Sequence, residues 1–182
     1  MPEKAVVVVP TTTPFSGPWL GATRATSLQR VANRAIVCHV LDALAESGVR
    51  EAVVLSPTEV LAEVVAVVDR EGPSELAILH VPYDEDVGGR DVLAAASEFI
   101  EDDACLLHRG DGMLGEPLQT LVEPRPSDLD VLLLVCEQPN RARPLQLVPG
   151  IGSAAGIGEA GTRGVFAGVC VLGPGVMTEL VA

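Results

Sequence analysis

Ala5-Val6-Val7-Val8-Val9-Pro10-Thr11-Thr12-Thr13-Pro14-Phe15-Ser16-Gly17-Pro18 is the stretch whose reading decides the fold. A short, β-branched, uninterrupted apolar run reads as a strand buried on both faces rather than as a helix. Pro10 ends it, and a loop reaching Arg30 separates it from the next periodic segment. A strand buried on both faces needs helices above and below, so the opening points to an α/β protein. In that class ligands bind beyond the carboxyl ends of the strands, which puts this loop beside the site. It carries threonines and prolines where a phosphate-binding loop wants glycines and a cation.

The rest of the 182 residues agrees with that class. Apolar residues make up 48% and aromatics only 3%, so the core is built from Val, Leu, Ile and Ala. The length suits one domain, expected over residues 1–182, with a loop-rich segment at about 137–164. The formal net charge is −13. A surface of that sign repels phosphate backbones, so no nucleic-acid partner is expected. Lys4 is the only lysine, and every other cation is an arginine. Cys38, Cys105, Cys136 and Cys170 stand singly in apolar runs and read as buried, reduced thiols, which implies a cytoplasmic protein. No apolar run is long enough for a signal peptide or a membrane span, so no membrane association is expected.

Along the chain, strand and helix patterns alternate. The period becomes helical from Arg34 to Ser47, with Ile36, Val40 and Leu44 on one face and Gly48 to end it. Glu51–Leu55 reads as a strand. Ser56-Pro57-Thr58-Glu59 reads as a capping box opening a helix that stops at Gly72. Glu75–Val81 is the next strand, followed by an acidic loop and a helix from Arg90 through Ile100. Ala104–His108 is a strand, Glu116–Val122 a short helix, and Leu129–Cys136 an apolar strand expected at the centre of the sheet. Gly150–Gly164 reads as a loop, Val165–Leu172 as a last strand and Pro174–Leu180 as the start of a helix. The alternation predicts a three-layer α/β sandwich with a mainly parallel, Rossmann-like sheet.

Three features fall at the carboxyl ends of these strands: the Pro10–Arg30 loop, Gly88-Gly89, and Gly110-Asp111-Gly112. An aspartate between glycines after a buried strand can hold a divalent cation against a phosphate, although Gly-Asp-Gly is also a common turn. Gly88-Gly89 before a helix lets a base or phosphate approach the backbone, and by itself is a turn as well. There is no G-x-x-x-x-G-K-S/T loop, no G-x-G-x-x-G after the first strand and no G-x-S-x-G elbow. His39, His80 and His108 lie far apart and read as structural rather than as zinc ligands.

The order of the pieces resembles the sugar-1-phosphate nucleotidyltransferases, the group containing glucose-1-phosphate thymidylyltransferase and mannose-1-phosphate guanylyltransferase. Ala5–Val9 looks like that family's first strand, and Val31–Val49 is similar to its first helix. Val87–Leu93 looks like its turn near the base, and Leu107–Gly112 resembles its L-G-D metal site. Glu137-Gln138-Pro139 and Phe166–Cys170 look like its sugar-side segments. The resemblance implies a nucleotide-diphospho-sugar transferase-like fold. It also implies nucleotide contacts at Thr11, Thr12, Thr13, Gly88 and Gly89, sugar-side contacts at Arg143 and Gly168, and a Mg²⁺ ligand at Asp111.

The catalytic signature is missing. Pro10, Thr11, Thr13, Pro14 and Phe15 occupy the Gly, Gly, Gly, Thr and Arg positions of the family's G-G-x-G-T-R loop, and Thr26 takes the place of its lysine. The family's second lysine, in an E-K-P segment, falls in Gly150–Gly164, which has none. Losing one positioned group of this kind costs on the order of a hundredfold or more in rate. Arg24, Arg30 and Arg34 offer partial replacements, but a guanidinium fork is not a point charge. The expectation is a catalytically degenerate nucleotidyltransferase-like protein with a binding, regulatory or assembly role. It would recognise a nucleotide or nucleotide sugar, as a homo-oligomer or beside an active homologue. Two alternatives stand beside it: a Mg²⁺-dependent enzyme making a nucleotide sugar, and a purely structural oligomerisation module.

Overall fold

Parallel strands need crossovers that cover the sheet, and the arrangement of apolar residues along β1 shows this directly. In the computed structural model, which describes residues 2–10, 25–84, 88–114, 117–119, 131–137 and 164–181, β1 spans Lys4–Val8. Ala5, Val7 and Val9 point into one apolar layer and Val6 into another. Successive strand side chains face opposite ways, so a run buried throughout has a layer on each side.

The remaining sheet strands are β4 (Glu51–Pro57), β5 (Ala77–Tyr83), β6 (Cys105–Arg109), β7 (Val131–Glu137) and β8 (Gly164–Leu172). A two-residue hairpin, β2 (Arg30–Val31) and β3 (Arg34–Ala35), precedes the first helix. The six-stranded sheet has the order β5-β4-β1-β6-β8-β7. β5, β4, β1 and β6 pair in parallel, and β8 runs antiparallel to both β6 and β7. Five strands therefore point one way and β8 the other. Pro82 sits in β5, at an edge, where one missing N–H is tolerated.

Helices α1 (Ile36–Glu46) and α2 (Leu61–Glu71) cover one face, where Leu41, Leu44 and Val64 pack on Val7, Val54 and Leu106. Helices α3 (Gly89–Ala94), α4 (Ser97–Ile100) and α5 (Val176–Val181) cover the other, where Val92, Ile100 and Met177 meet Val6, Val53 and Leu55. The result is the expected three-layer α/β sandwich. Gly48 ends α1 at φ +98°, and the Val49 N–H donates back to the Leu44 carbonyl at 3.1 Å. Among the described residues, no helix is long and apolar enough to cross a membrane.

Several local expectations are corrected. Ser56 and Pro57 belong to β4 and are buried, so they do not form a capping box; the Thr58 N–H and hydroxyl instead reach the Tyr83 carbonyl. The helix through Arg90–Ile100 is split, and Ser97 Oγ donates to the Ala94 carbonyl at 2.7 Å where α3 ends. β7 is at the sheet edge rather than its centre, because β8 inserts between it and β6. An apolar run reports cover above and below a strand, not its lateral place in the sheet. Of the helix expected over Glu116–Val122, Leu118 and Gln119 are described and helical.

Candidate functional site

The carboxyl ends of β1 and β6 lie side by side, and the backbone closes over both. The Gly110 N–H donates to the Val8 carbonyl at 2.7 Å, and the Val9 N–H to the Leu55 carbonyl at 2.9 Å. Tyr83, the last residue of β5, reaches across to donate its hydroxyl to the Val9 carbonyl at 2.8 Å. A Cβ at position 110 would come within 3.2 Å of Ser27 Oγ and 3.3 Å of the Val8 carbonyl oxygen, so glycine lets these segments meet.

Asp111 follows directly and is turned inward, its side chain only 8% exposed. Both carboxylate oxygens are held by one arginine: Arg109 Nε donates to Oδ1 at 3.0 Å, and a terminal Arg109 nitrogen donates to Oδ2 at 3.0 Å. Thr26 Oγ1 donates to the same Oδ2 at 3.3 Å. A carboxylate between the two arms of a guanidinium makes charge-assisted bonds, roughly twice as strong as neutral ones. This pairing also raises the Arg109 pKa. Just behind, His108 is buried with Nδ1 2.7 Å from the Arg109 carbonyl oxygen, and burial pushes its pKa down.

Gly168 completes this corner. It lies in β8, one step along from the His108–Val169 pair, with φ +86°. A Cβ there would meet the Arg109 stem at 3.2–3.5 Å. The structure thus brings together two of the residues named from sequence, Asp111 and Gly168, through an arginine that was not. The signal for Arg109 was present in the sequence: a cation closing an apolar strand two residues before the aspartate.

The other candidates lie elsewhere. Gly88 precedes α3 and accepts the Val92 N–H at 3.1 Å; both Gly88 and Gly89 are exposed beyond the edge strand β5. Thr11, Thr12, Thr13 and Arg143 lie outside the described residues, as does Arg24. Arg30 is committed to Glu71 at 3.0 Å and to the Asn33 carbonyl, and Arg34 to Asp42 and the Glu71 carbonyl. Arg70 and Arg30 together hold the Glu71 carboxyl down to about 2. This network ties the β2–β3 hairpin to the helices behind it. The thiols of Cys38, Cys105 and Cys170 are free and buried, and burial pushes Cys105 and Cys170 up to about 12, far from reactivity.

No protein-family model matches the chain, and no curated protein matches it. Solved structures do. A protein assigned as glucose-1-phosphate thymidylyltransferase from Bacillus anthracis, in complex with a sucrose, superposes with a TM-score of 0.72 at 12% identity, covering 97% of this chain and 74% of its own. HddC from Yersinia pseudotuberculosis complexed with GMP-PN gives 0.71 at 14% identity, covering 98% and 79%. This is the sugar-1-phosphate nucleotidyltransferase fold. At such identity the likeness is one of architecture.

The resemblance of Leu107–Gly112 to that family's metal site implies a Mg²⁺ ion at Asp111, and the residues present do not fit one. Both oxygens of the carboxylate already face the same guanidinium. Among the described residues no three His, Cys, Asp or Glu side chains gather as a metal site. A small hard cation wants free oxygen ligands, and here the nearest positive charge is part of the chain.

Proposed function

We propose that this nucleotidyltransferase-fold protein has lost efficient turnover and kept a binding or assembly role, as a non-catalytic partner of an active homologue. One observation carries the reading. Lys4, the only lysine of the chain, sits at the amino end of β1, where its Nζ pairs with Asp103 Oδ2 at 2.7 Å and donates to the Phe99 carbonyl at 3.0 Å. Phosphates would lie at the other end of the strand, where a nucleotidyl transfer needs cations to offset charge building between two phosphoryl groups. Arg30 and Arg34 are spent on Glu71 and Asp42 and do not supply them.

The ligand class in this reading is a nucleotide or nucleotide sugar, held by backbone and shape more than by charge. The test is turnover by the purified protein with nucleoside triphosphates, sugar-1-phosphates and Mg²⁺. The expected outcome is no sugar-nucleotide product at ordinary enzyme rates. Formation at about one per second or faster would sink the reading. A thermal-shift series with the same compounds then identifies a retained ligand. Binding to the folded state adds about 2.7 kcal/mol at a hundredfold excess over Kd.

A further inference from the structure

We propose that Arg109 stands in for a divalent cation at Asp111, so that this carboxylate is neutralised from within the chain and is closed to Mg²⁺ and Mn²⁺. The inference goes beyond the loss of turnover and does not depend on it, because cation binding is read without any reaction.

Three positions, two of them on strands, build the pair. Asp111 follows β6 and is turned inward by the Gly110 contact with Val8. Arg109 ends β6 and presents Nε and one terminal nitrogen to the two oxygens, both at 3.0 Å. Gly168 in β8 leaves open the space that the arginine stem fills. Thr26 Oγ1 adds a hydrogen bond to Oδ2 at 3.3 Å.

The competition favours the arginine. Mg²⁺ gives up water reluctantly and keeps several waters even where a carboxylate holds it, so it gains little by displacing a group already in contact with the oxygens. A guanidinium anchored two residues away has an effective concentration of about millimolar or above, and it never leaves. It is also always protonated. An incoming cation would therefore have to break two charge-assisted bonds and then sit beside the displaced positive charge.

The experiment is Mn²⁺ titration of the full chain, followed by the electron paramagnetic resonance signal of free Mn²⁺, for the native protein and three variants. The net charge of −13 gathers cations loosely, so the quantity that matters is the part removed by Asp111→Asn. The native protein and Asp111→Asn should titrate alike. Arg109→Leu, which keeps an aliphatic group against Gly168, should gain a saturable site about tenfold or more tighter than the diffuse background. Adding Asp111→Asn to Arg109→Leu should abolish that gain. A native site that Asp111→Asn removes overturns the proposal. So does a folded Arg109→Leu variant, checked by circular dichroism, that gains nothing. If that variant does not fold, the native comparison with Asp111→Asn still decides.

Discussion

Each end of β1 is flanked by a cation–carboxylate pair, and the two pairs are built differently. In register, Lys4 lies opposite Cys105 and Val8 opposite Arg109, so the first pair meets the start of β6 and the second its end. At the amino end Lys4 pairs with Asp103, which is 62% exposed. At the carboxyl end Arg109 grips Asp111, which is 8% exposed, through two parallel bonds. The first joins two segments at the surface, with Lys4 also 5.6 Å from the Phe99 ring centroid. The second lies at the carboxyl ends of the strands, the side on which open α/β sheets in general bind ligands. The same chemistry can be a surface tether or can fix the character of a site, and burial with two-armed geometry makes the difference.

The largest break in that comparison should come from the glycine under the arginine. Gly168 and Gly48 both hold positive φ, at +86° and +98°. A Cβ at Gly48 meets nothing within 4 Å, whereas at Gly168 it meets the Arg109 stem at 3.2 Å. Gly48→Ala should cost only the backbone term, about 1 kcal/mol, and Gly168→Ala that term plus displacement of the arginine, about 3 kcal/mol. Urea unfolding of both variants checks the ranking. Equal losses would mean that Arg109 is not seated on Gly168.

Removing the carboxylate comes next. Asp111→Ala strands the two Arg109 donors and the Thr26 hydroxyl and should cost about 2 kcal/mol, the range for hydrogen bonds to charged groups. Because Arg109 is 48% exposed, water takes up part of its loss, which holds the effect below that of Gly168→Ala. High salt should reduce the penalty only in part, since Asp111 is buried while half of the Arg109 side chain is in water.

A smaller and pH-dependent effect belongs to the histidines. His80 in β5 has both ring nitrogens buried without a partner among the described residues, and burial lowers its pKa from 6.5 despite Asp69 nearby. His108 shifts in the same direction. The unfolded chain then binds more protons than the folded one, so stability rises with pH through this window and falls as pH drops below 6.5. Unfolding midpoints measured at about pH 7.5 and about pH 5.5 should show the drop, and His80→Leu should reduce it. A midpoint unchanged between the two would refute the burial of a neutral His80.

What was legible in the sequence follows from what each signal measures. Val6–Val9 and Glu51–Leu55 were readable as strands because burial on two faces writes a continuous apolar run. The lateral order was not readable, and β7 went to the edge although it is the most apolar strand. Ser56-Pro57-Thr58-Glu59 looked like a capping box because local spacing is blind to β5, whose pairing with β4 runs on through Pro57–Tyr83. Asp111 stood out beside two glycines. Its partner did not, because an arginine at a strand end reads as solvated. The space that seats it is made by Gly168, far along the chain in an antiparallel strand.

The amino-end pair should give the smallest effect. Asp103→Asn removes the carboxylate facing Lys4 but leaves the lysine its bond to the Phe99 carbonyl. Asp103 is mostly in water, where an ion pair gains little Coulomb energy and ordering two side chains costs entropy, so the loss should be at most about 0.5 kcal/mol. Salt should erase even that, because exposed charges are screened within about 10 Å at ordinary ionic strength. The Lys4 pKa, raised chiefly by Asp103, should move back down in the variant, and nuclear magnetic resonance of the ammonium reads it directly. A penalty as large as that of Asp111→Ala would mean that exposure does not separate the two ends of β1, and that the carboxyl-end pair has no special standing in the site.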